Sequence, residues 1–214
     1  GVYATQAEAD KANLVNSSMQ AYQAGDVRFI DQNNDGRIDI KDRISLGSAA
    51  PDYFGGFYTN FRYRHFALSA EFAYSKGNKA YNAVRRTLES ASSFSNQSVA
   101  VSNRWSVEGQ VTDMPRATFG DAIGNNNFSS RWIEDASYLR IKNITLSYNF
   151  DKPIWNFFRS GTIYVTGENL LTATKYLGLD PEFAYSSSDN ATQGFDYAKV
   201  MQPKSVKLGI NLKF

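Results

Sequence analysis

The chain has 214 residues, of which 42% are hydrophobic, 14% aromatic and 21% charged. This many aromatic residues excludes an intrinsically disordered chain, and no stretch approaches the roughly 20 consecutive apolar residues that a membrane-spanning helix needs. The formal net charge of +2 is small and evenly spread, so a nucleic acid is not an expected partner. The lack of cysteine and the single histidine exclude disulfide scaffolds, thiol catalysis and most histidine chemistry.

The first predicted element is a short amphipathic helix from Thr5 to about Tyr22. Thr5 and Glu8 have the spacing of a capping box. Apolar residues then recur at helical intervals, namely Ala12, Val15, Met19 and Tyr22. After Gly25, residues 26–30 predict a brief extended segment.

The sharpest local motif runs from Asp31 to Asp42. It resembles an EF-hand calcium loop in the spacing of its oxygen-bearing residues, with Gly36 at the position of the sharp turn. The predicted calcium ligands are Asp31, Asn33, Asp35, the Arg37 carbonyl, Asp39 and Asp42. Asp42 is one methylene shorter than the glutamate that usually completes such a loop. A metal-free turn, in which the same side chains accept backbone hydrogen bonds, is the alternative.

Beyond this loop, apolar and polar residues alternate as they do in β-strands. The predicted membrane crossings are 53–63, 66–75, 133–149, 161–170 and 204–214, and in the third the alternation itself runs from about Tyr138 to Phe150. The first two form a hairpin around a tight turn at Arg64 and His65. A change of parity near Asn143 predicts a β-bulge, because a slip of one residue would otherwise exchange the two faces of the strand.

Short and long connections alternate between these strands. The links at 64–65 and 151–160 are short, whereas 76–132 and 171–203 are long and polar. Transmembrane β-barrels have this asymmetry, with short periplasmic turns and long extracellular loops. Aromatic residues around one short turn match an interfacial girdle: Phe150, Trp155, Phe157 and Phe158. A soluble antiparallel sandwich is the alternative. Because five strands cannot close a transmembrane barrel, the chain is expected to be a piece of a longer one.

Motifs along the whole chain occur in an order that is found in one known family. They are Gly25-Asp26-Val27 through Asp42-Arg43, Leu46-Gly47, Pro51-Asp52-Tyr53, Met114-Pro115-Arg116-Ala117, Ser129 through Asn143, Gly167-Glu168-Asn169-Leu170-Leu171-Thr172, Thr174-Lys175-Tyr176 and Asp180-Pro181-Glu182, with a similar opening at 1–9. In these motifs the chain resembles the carboxyl-terminal part of SusC/RagA-type TonB-dependent outer-membrane transporters of Bacteroidetes.

The resemblance implies an all-β fold, the last five strands of a 22-stranded transmembrane β-barrel with a plugged lumen. Residues 1–52 would be an extracellular loop region with the short helix and the EF-hand-like loop, and residues 53–214 the barrel strands. The implied function is import of an oligosaccharide or a peptide across the outer membrane. Implied partners are the amino-terminal plug and barrel of the same transporter, a SusD-like surface lipoprotein, TonB acting through the missing part, outer-membrane lipids, and the glycan or peptide substrate.

Catalysis is not expected, since the chain has no nucleophile elbow, phosphate loop or zinc-binding histidine motif. The alternative function is a soluble, secreted, calcium-stabilised β-sandwich that binds carbohydrate. Its candidate stacking residues are Tyr53, Trp105, Phe128 and Trp132. Packing within loops or against a lid is the other explanation for these aromatic residues.

Overall fold

A computed structural model describes residues 1–150, 159–183 and 192–213. The chain divides into two compact units, here called unit one (residues 1–47 and 82–133) and unit two (residues 48–81 and 134–214). The predicted boundary between residues 52 and 53 lies close to the first division. Residues 82–133, however, pack with unit one and not with the strand region to which the sequence assigned them. No helix in the described residues is long and apolar enough to cross a membrane.

Unit one opens with helix α1, Gln6–Ala12. As predicted, Thr5 caps its start, because the Thr5 hydroxyl accepts a hydrogen bond from the Glu8 N–H at 3.3 Å. The predicted extension to Tyr22 is wrong. Asn13 adopts a left-handed conformation with φ of 50° and ends the helix, as residues just past helix ends commonly do.

The chain then folds back on itself instead of continuing as a helix. Strand β1, Val15–Asn16, pairs in parallel with strand β2, Arg37–Ile38. The remaining regular segments of unit one are short: helix α2, Ala83–Leu88, and 3₁₀ turns at Ile40–Asp42, Val99–Asn103, Phe119–Asp121 and Ser130–Trp132. Two small apolar clusters hold them, one of Tyr3, Ala9, Tyr22 and Ile123, the other of Ala91, Val101 and Met114.

Unit two contains a five-stranded antiparallel sheet, as predicted. Its strands are β3 (Tyr53–Tyr63), β4 (Phe66–Lys76), β7 (Tyr138–Phe150), β8 (Ser160–Thr174) and β10 (Ser205–Lys213). Their order in the sheet is β10-β8-β7-β4-β3, so strands that are consecutive in this set are also neighbours in space. The tight turn between β3 and β4 is made by Arg64, with φ of 53°, and His65.

The predicted bulge is present in β7. Glu71 pairs with Asn143 and Phe72 with Ile141, so Lys142 has no partner in the β4 register. The register with β8 shifts at the same place, between Ile141 and Asn143. The extra residue keeps the side chains on both sides of the bulge on their proper faces.

The long connections also contain a small sheet that the sequence pattern did not reveal. It has the order β6-β5-β9, from strands β5 (Lys79–Asn82), β6 (Ile133–Asp135) and β9 (Phe195–Asp196). Beside it, Ala80, Ala136 and Tyr176 form a buried cluster against which Phe183 packs. These strands are too short to show a recognisable period.

Candidate functional site

One face of the five-stranded sheet is predominantly apolar, with Thr59 and Lys76 as polar members. Residues opposite each other on neighbouring strands share a face, so the register identifies its members. They include Tyr53, Phe57, Phe61, Tyr63, Phe66, Leu68, Phe72, Tyr74, Leu139, Ile141, Ile144, Leu146, Tyr148, Ile163, Val165, Leu171, Val206, Leu208, Ile210 and Leu212. Exposure reaches 66% at Phe61 and 76% at Leu208. Soluble proteins rarely expose so continuous an apolar surface, so this face is suited to lipid.

The opposite face is mainly polar, as the alternation predicted, although Phe54, Tyr58 and Tyr164 also lie on it. Its residues include Asn60, Arg62, Ser69, Glu71, Arg140, Asn143, Thr145, Ser147, Asn149, Thr162, Thr166, Glu168, Thr172, Lys207 and Asn211. Several bond across the strands: the hydroxyls of Thr145 and Thr166 lie 2.8 Å apart, and Lys207 donates to Glu168. A sheet with one lipid-compatible face and one polar face has the side-chain pattern of a transmembrane barrel wall.

Aromatic side chains gather where β4 and β7 approach the tight turn. The Tyr148 ring centroid lies 5.0 Å from that of Phe66 and 5.8 Å from that of His65. Of the predicted girdle residues, Phe150 ends β7. The other three, Trp155, Phe157 and Phe158, lie outside the described residues. The described aromatic group is where an interfacial girdle is expected, at one end of the strands.

The bulge changes the polar face by adding a cation. Lys142 donates to both carboxylate oxygens of Glu182, at 2.7 and 2.6 Å. Lys142 also lines a recess of about 570 Å³ together with Glu71, Asn143, Glu168 and Gln202. The irregularity in β7 therefore coincides with the place where the polar face is indented.

A buried ion cluster lies beside this recess. The Arg140 guanidinium donates to Asp180, to Glu182 at 2.8 Å and to the Thr172 hydroxyl at 2.9 Å. The side chains of Arg140 and Asp180 are only 4% and 5% exposed. Burial acts to raise the pKa of the Asp180 carboxyl, but hydrogen bonds from Arg140 and from the N–H groups of Glu182 and Gln202 hold it below its usual value. The sequence motifs contained these residues, but no spacing rule linked Arg140 to Asp180.

In unit one, the side chains of the Asp-rich loop, residues 31–42, accept hydrogen bonds from the backbone of the same loop. Asp31 accepts the Gly36 N–H at 2.8 Å, and the two oxygens of Asp42 accept the N–H groups of Gln32 and Asp39 at 2.9 and 2.8 Å. Burial acts to raise the pKa of Asp42, but these backbone hydrogen bonds lower it overall. Asn33 and Asp35 also accept nearby N–H groups, those of Asp35 and Arg37, at 3.0 Å.

This geometry resembles the metal-free turn considered from the sequence. The predicted ligand set offers the oxygen donors that calcium prefers. In residues 1–150, 159–183 and 192–213, however, no group of three or more His, Asp or Glu side chains is placed to hold a metal ion. Calcium at this loop stays a prediction.

The aromatic residues considered as sugar-stacking platforms are dispersed. Trp132 is fully buried, with the guanidinium of Arg131 4.8 Å from its ring centroid. Trp105 donates from its indole to the Ala4 carbonyl at 3.1 Å. Tyr53 lies on the apolar face of the sheet, in unit two, and Phe128 belongs to unit one. For the two tryptophans the structure supports the loop-packing explanation, since their rings contact the protein itself.

Comparison with known proteins agrees with this geometry. TonB-dependent receptor P26 of Formosa agariphila is 31% identical over 219 residues, covering 100% of this chain and 22% of the relative. TonB-dependent receptor SusC of Bacteroides thetaiotaomicron is 28% identical over 193 residues, covering 87% of this chain and 17% of SusC. The chain belongs to the SusC/RagA-type TonB-dependent transporters. No family model matches it.

A solved structure shows the same fold. The RagAB peptide importer in its closed-closed state superimposes with a TM-score of 0.67 at 24% identity, covering 94% of this chain and 20% of that chain. The chain thus spans about a fifth of the length of its relatives. SusC/RagA-type transporters are outer-membrane proteins, and the five-stranded sheet is an open segment of their antiparallel transmembrane β-barrel.

Membership of this family corrects the alternative of a soluble carbohydrate-binding sandwich. A sandwich requires a second sheet packed on the apolar face. Within the described residues, the side chains of that face are largely exposed. The relatives are named as receptors, and the solved neighbour as an importer.

Proposed function

We propose that the chain forms part of the barrel wall of an outer-membrane nutrient importer. The cargo would be an oligosaccharide or a peptide, captured together with a SusD-like surface lipoprotein. The plug, the remaining strands and the segment engaged by TonB would belong to the rest of the same transporter. The observation that carries this proposal is the sheet with one continuous apolar face and one polar face.

The sheet edges support the same proposal. Strands β3 and β10 stand at the two ends of the sheet order and have a strand neighbour on one side only within the described residues. Unpaired backbone groups at a sheet edge are not tolerated in hydrocarbon, because lipid offers them no hydrogen bonds. Further strands of the barrel are the partners that these edges require.

The experiment uses two adjacent residues of the central strand β7. Leu146 lies on the apolar face between Leu68 and Val165, whereas Ser147 lies on the polar face. The cost of arginine at a lipid-facing position falls from about 2–4 kcal/mol at the bilayer centre to about 0–1 kcal/mol near the interfaces. Leu146 is two residues from Tyr148 of the interfacial aromatic group, so we expect an intermediate cost. We expect Leu146→Arg in the intact transporter to lower the amount of folded, heat-modifiable barrel in the outer membrane. Ser147→Arg, the matched control, should accumulate normally.

Cargo class is tested in the same cells. A strain lacking the native gene and carrying the control variant should regain growth on an oligosaccharide or a peptide mixture as sole nutrient, and the Leu146→Arg strain should not. Equal accumulation of both variants would contradict the assignment of the apolar face to lipid. Normal accumulation without growth on either nutrient would contradict the proposed cargo.

Calcium binding by residues 31–42 is a separate part of the proposal, supported by the ligand spacing alone. We expect calorimetric titration of the intact protein with calcium chloride to give heat of binding that Asp31→Ala and Asp35→Ala abolish. Absence of heat with the unaltered protein would refute calcium binding.

A further inference from the structure

Two motifs that are far apart in the sequence meet in unit two. Arg140 and Lys142 come from the Tyr138-Leu139-Arg140-Ile141-Lys142 run of β7, and Asp180 and Glu182 from the Asp180-Pro181-Glu182 run after β8. Each cation bonds to at least one of the carboxylates. Neither motif forms this cluster alone, so their shared role is to join the strand to the segment that carries Asp180 and Glu182.

Asp180 occupies the centre of the junction. Besides Arg140, its carboxylate accepts the Glu182 N–H at 2.9 Å and the Gln202 N–H at 3.1 Å. One side chain thus links the strand, the segment after β8 and the approach to β10. Arg140 also bonds to more than one segment, because its guanidinium donates to Thr172 on β8 as well as to Asp180 and Glu182.

We propose that Arg140 is a positioning residue that fastens residues 175–183, here called the strap, against the polar face of the sheet. In this arrangement the strap is a permanent part of the surface that cargo passes, instead of a loop that opens and closes. The same bonds fix two walls of the recess on that face, because Lys142 is held by Glu182 and Gln202 by Asp180.

Packing of Tyr176, and not the ion cluster, is a second possible reason why the strap is ordered. Tyr176 is buried, donates from its hydroxyl to Asp196 at 2.6 Å, and has its ring 5.6 Å from that of Phe183. If this packing alone orders the strap, removing the Arg140 charge will leave the strap unchanged. If the ion cluster orders it, Arg140 and Asp180 will be coupled energetically.

The test is a double-mutant cycle read by hydrogen exchange and mass spectrometry on the intact transporter in detergent. The variants are Arg140→Gln, Asp180→Asn and their combination. We expect each single variant to speed exchange in strap peptides about tenfold or more, since each breaks the ion pair between two buried side chains. The double variant should be no more than about threefold faster than either single variant, because coupled losses are not additive.

The matched control is Lys207→Gln. Lys207 forms an ion pair with Glu168 on the same face, but its side chain is 59% exposed, so its loss should leave strap exchange unchanged. Multiplicative effects of the two single variants, or an unaltered strap in Arg140→Gln, would overturn the proposal.

The unaltered protein provides a measurement that does not depend on any variant folding. Its strap peptides should exchange about as slowly as β7 and at least about tenfold more slowly than the exposed residues 93–97. Rapid exchange of the strap would also overturn the proposal. None of these readings requires transport, so the outcome is independent of the cargo proposed above.

Discussion

Removal of one buried charge in unit one should loosen that unit locally. Asp26 is fully buried and is bound by the Arg116 guanidinium through two hydrogen bonds of 2.8 and 3.0 Å. Its carboxylate also accepts the Asn125 side-chain amide at 3.1 Å and the Gln23 N–H at 2.9 Å. The perturbation is Asp26→Asn, which preserves the volume of the side chain but replaces one acceptor oxygen by a donor.

The magnitude follows from these contacts. Each carboxylate oxygen of Asp26 accepts two donors, so whichever oxygen is replaced, two hydrogen bonds are lost. Breaking a buried ion pair by altering one partner costs about 3–5 kcal/mol. The Arg116 side chain is 32% exposed and can be partly hydrated, so we expect the lower end, about 3 kcal/mol.

Hydrogen exchange in the intact protein measures this loss directly. About 3 kcal/mol corresponds to roughly a hundredfold faster exchange or more, since each 1.4 kcal/mol is about a factor of ten. Informative amides are those of Tyr3, bonded to the Asp26 carbonyl, and Val27, bonded to Asn125. Asp10→Asn is the control, because Asp10 is exposed on α1. Exchange in Asp26→Asn within about threefold of that control would refute the reasoning.

Two further predictions concern unit one. Gly25→Ala should lower the melting temperature more than Gly109→Ala. The two glycines have similar φ values, +85° and +87°, so the backbone strain of an alanine would be similar at both. Only at Gly25 would the added Cβ lie 2.5 Å from the Trp105 ring. Equal melting temperatures would show that the ring moves aside freely. The second prediction is that the Asp39 amide keeps its bond to Asp42 until the pH falls below 3.8, because that carboxyl's pKa is held below this usual value. An NMR titration midpoint at or above 3.8 would contradict this sign.

The large sheet could be predicted from the sequence because its physical signal is local. In β10, Val206, Leu208, Ile210 and Leu212 all face one side, and a period of two needs no knowledge of distant residues. The tight turn and the β7 bulge were predictable for the same reason. The alternation predicted β7 from about Tyr138 to Phe150, which are its observed bounds. The crossing assigned to 133–149 was too long at 133–137, where the chain forms β6 and then bends before β7.

The buried clusters could not be predicted, since nothing local identifies their partners. Arg140 and Asp180 are 40 residues apart, and Asp26 and Arg116 are 90 apart. The predicted extension of helix α1 to Tyr22 was wrong for a related reason. Tyr22 is apolar at a helical interval because it packs in the cluster with Tyr3, and it reaches that cluster from a non-helical segment next to the bridge between Val15 and Ala21. In a short segment, burial alone does not reveal the backbone conformation.

The β7 bulge connects the membrane face to the strap. Before the bulge the apolar residues Leu139 and Ile141 have odd numbers, and after it Ile144 and Leu146 have even numbers, yet all four lie on one face. A regular strand would point two of these four apolar side chains towards the polar side and bring polar side chains onto the apolar face. The inserted residue prevents this. Because that residue is Lys142, the irregularity that keeps the lipid face continuous also supplies a cation that binds Glu182 in the strap.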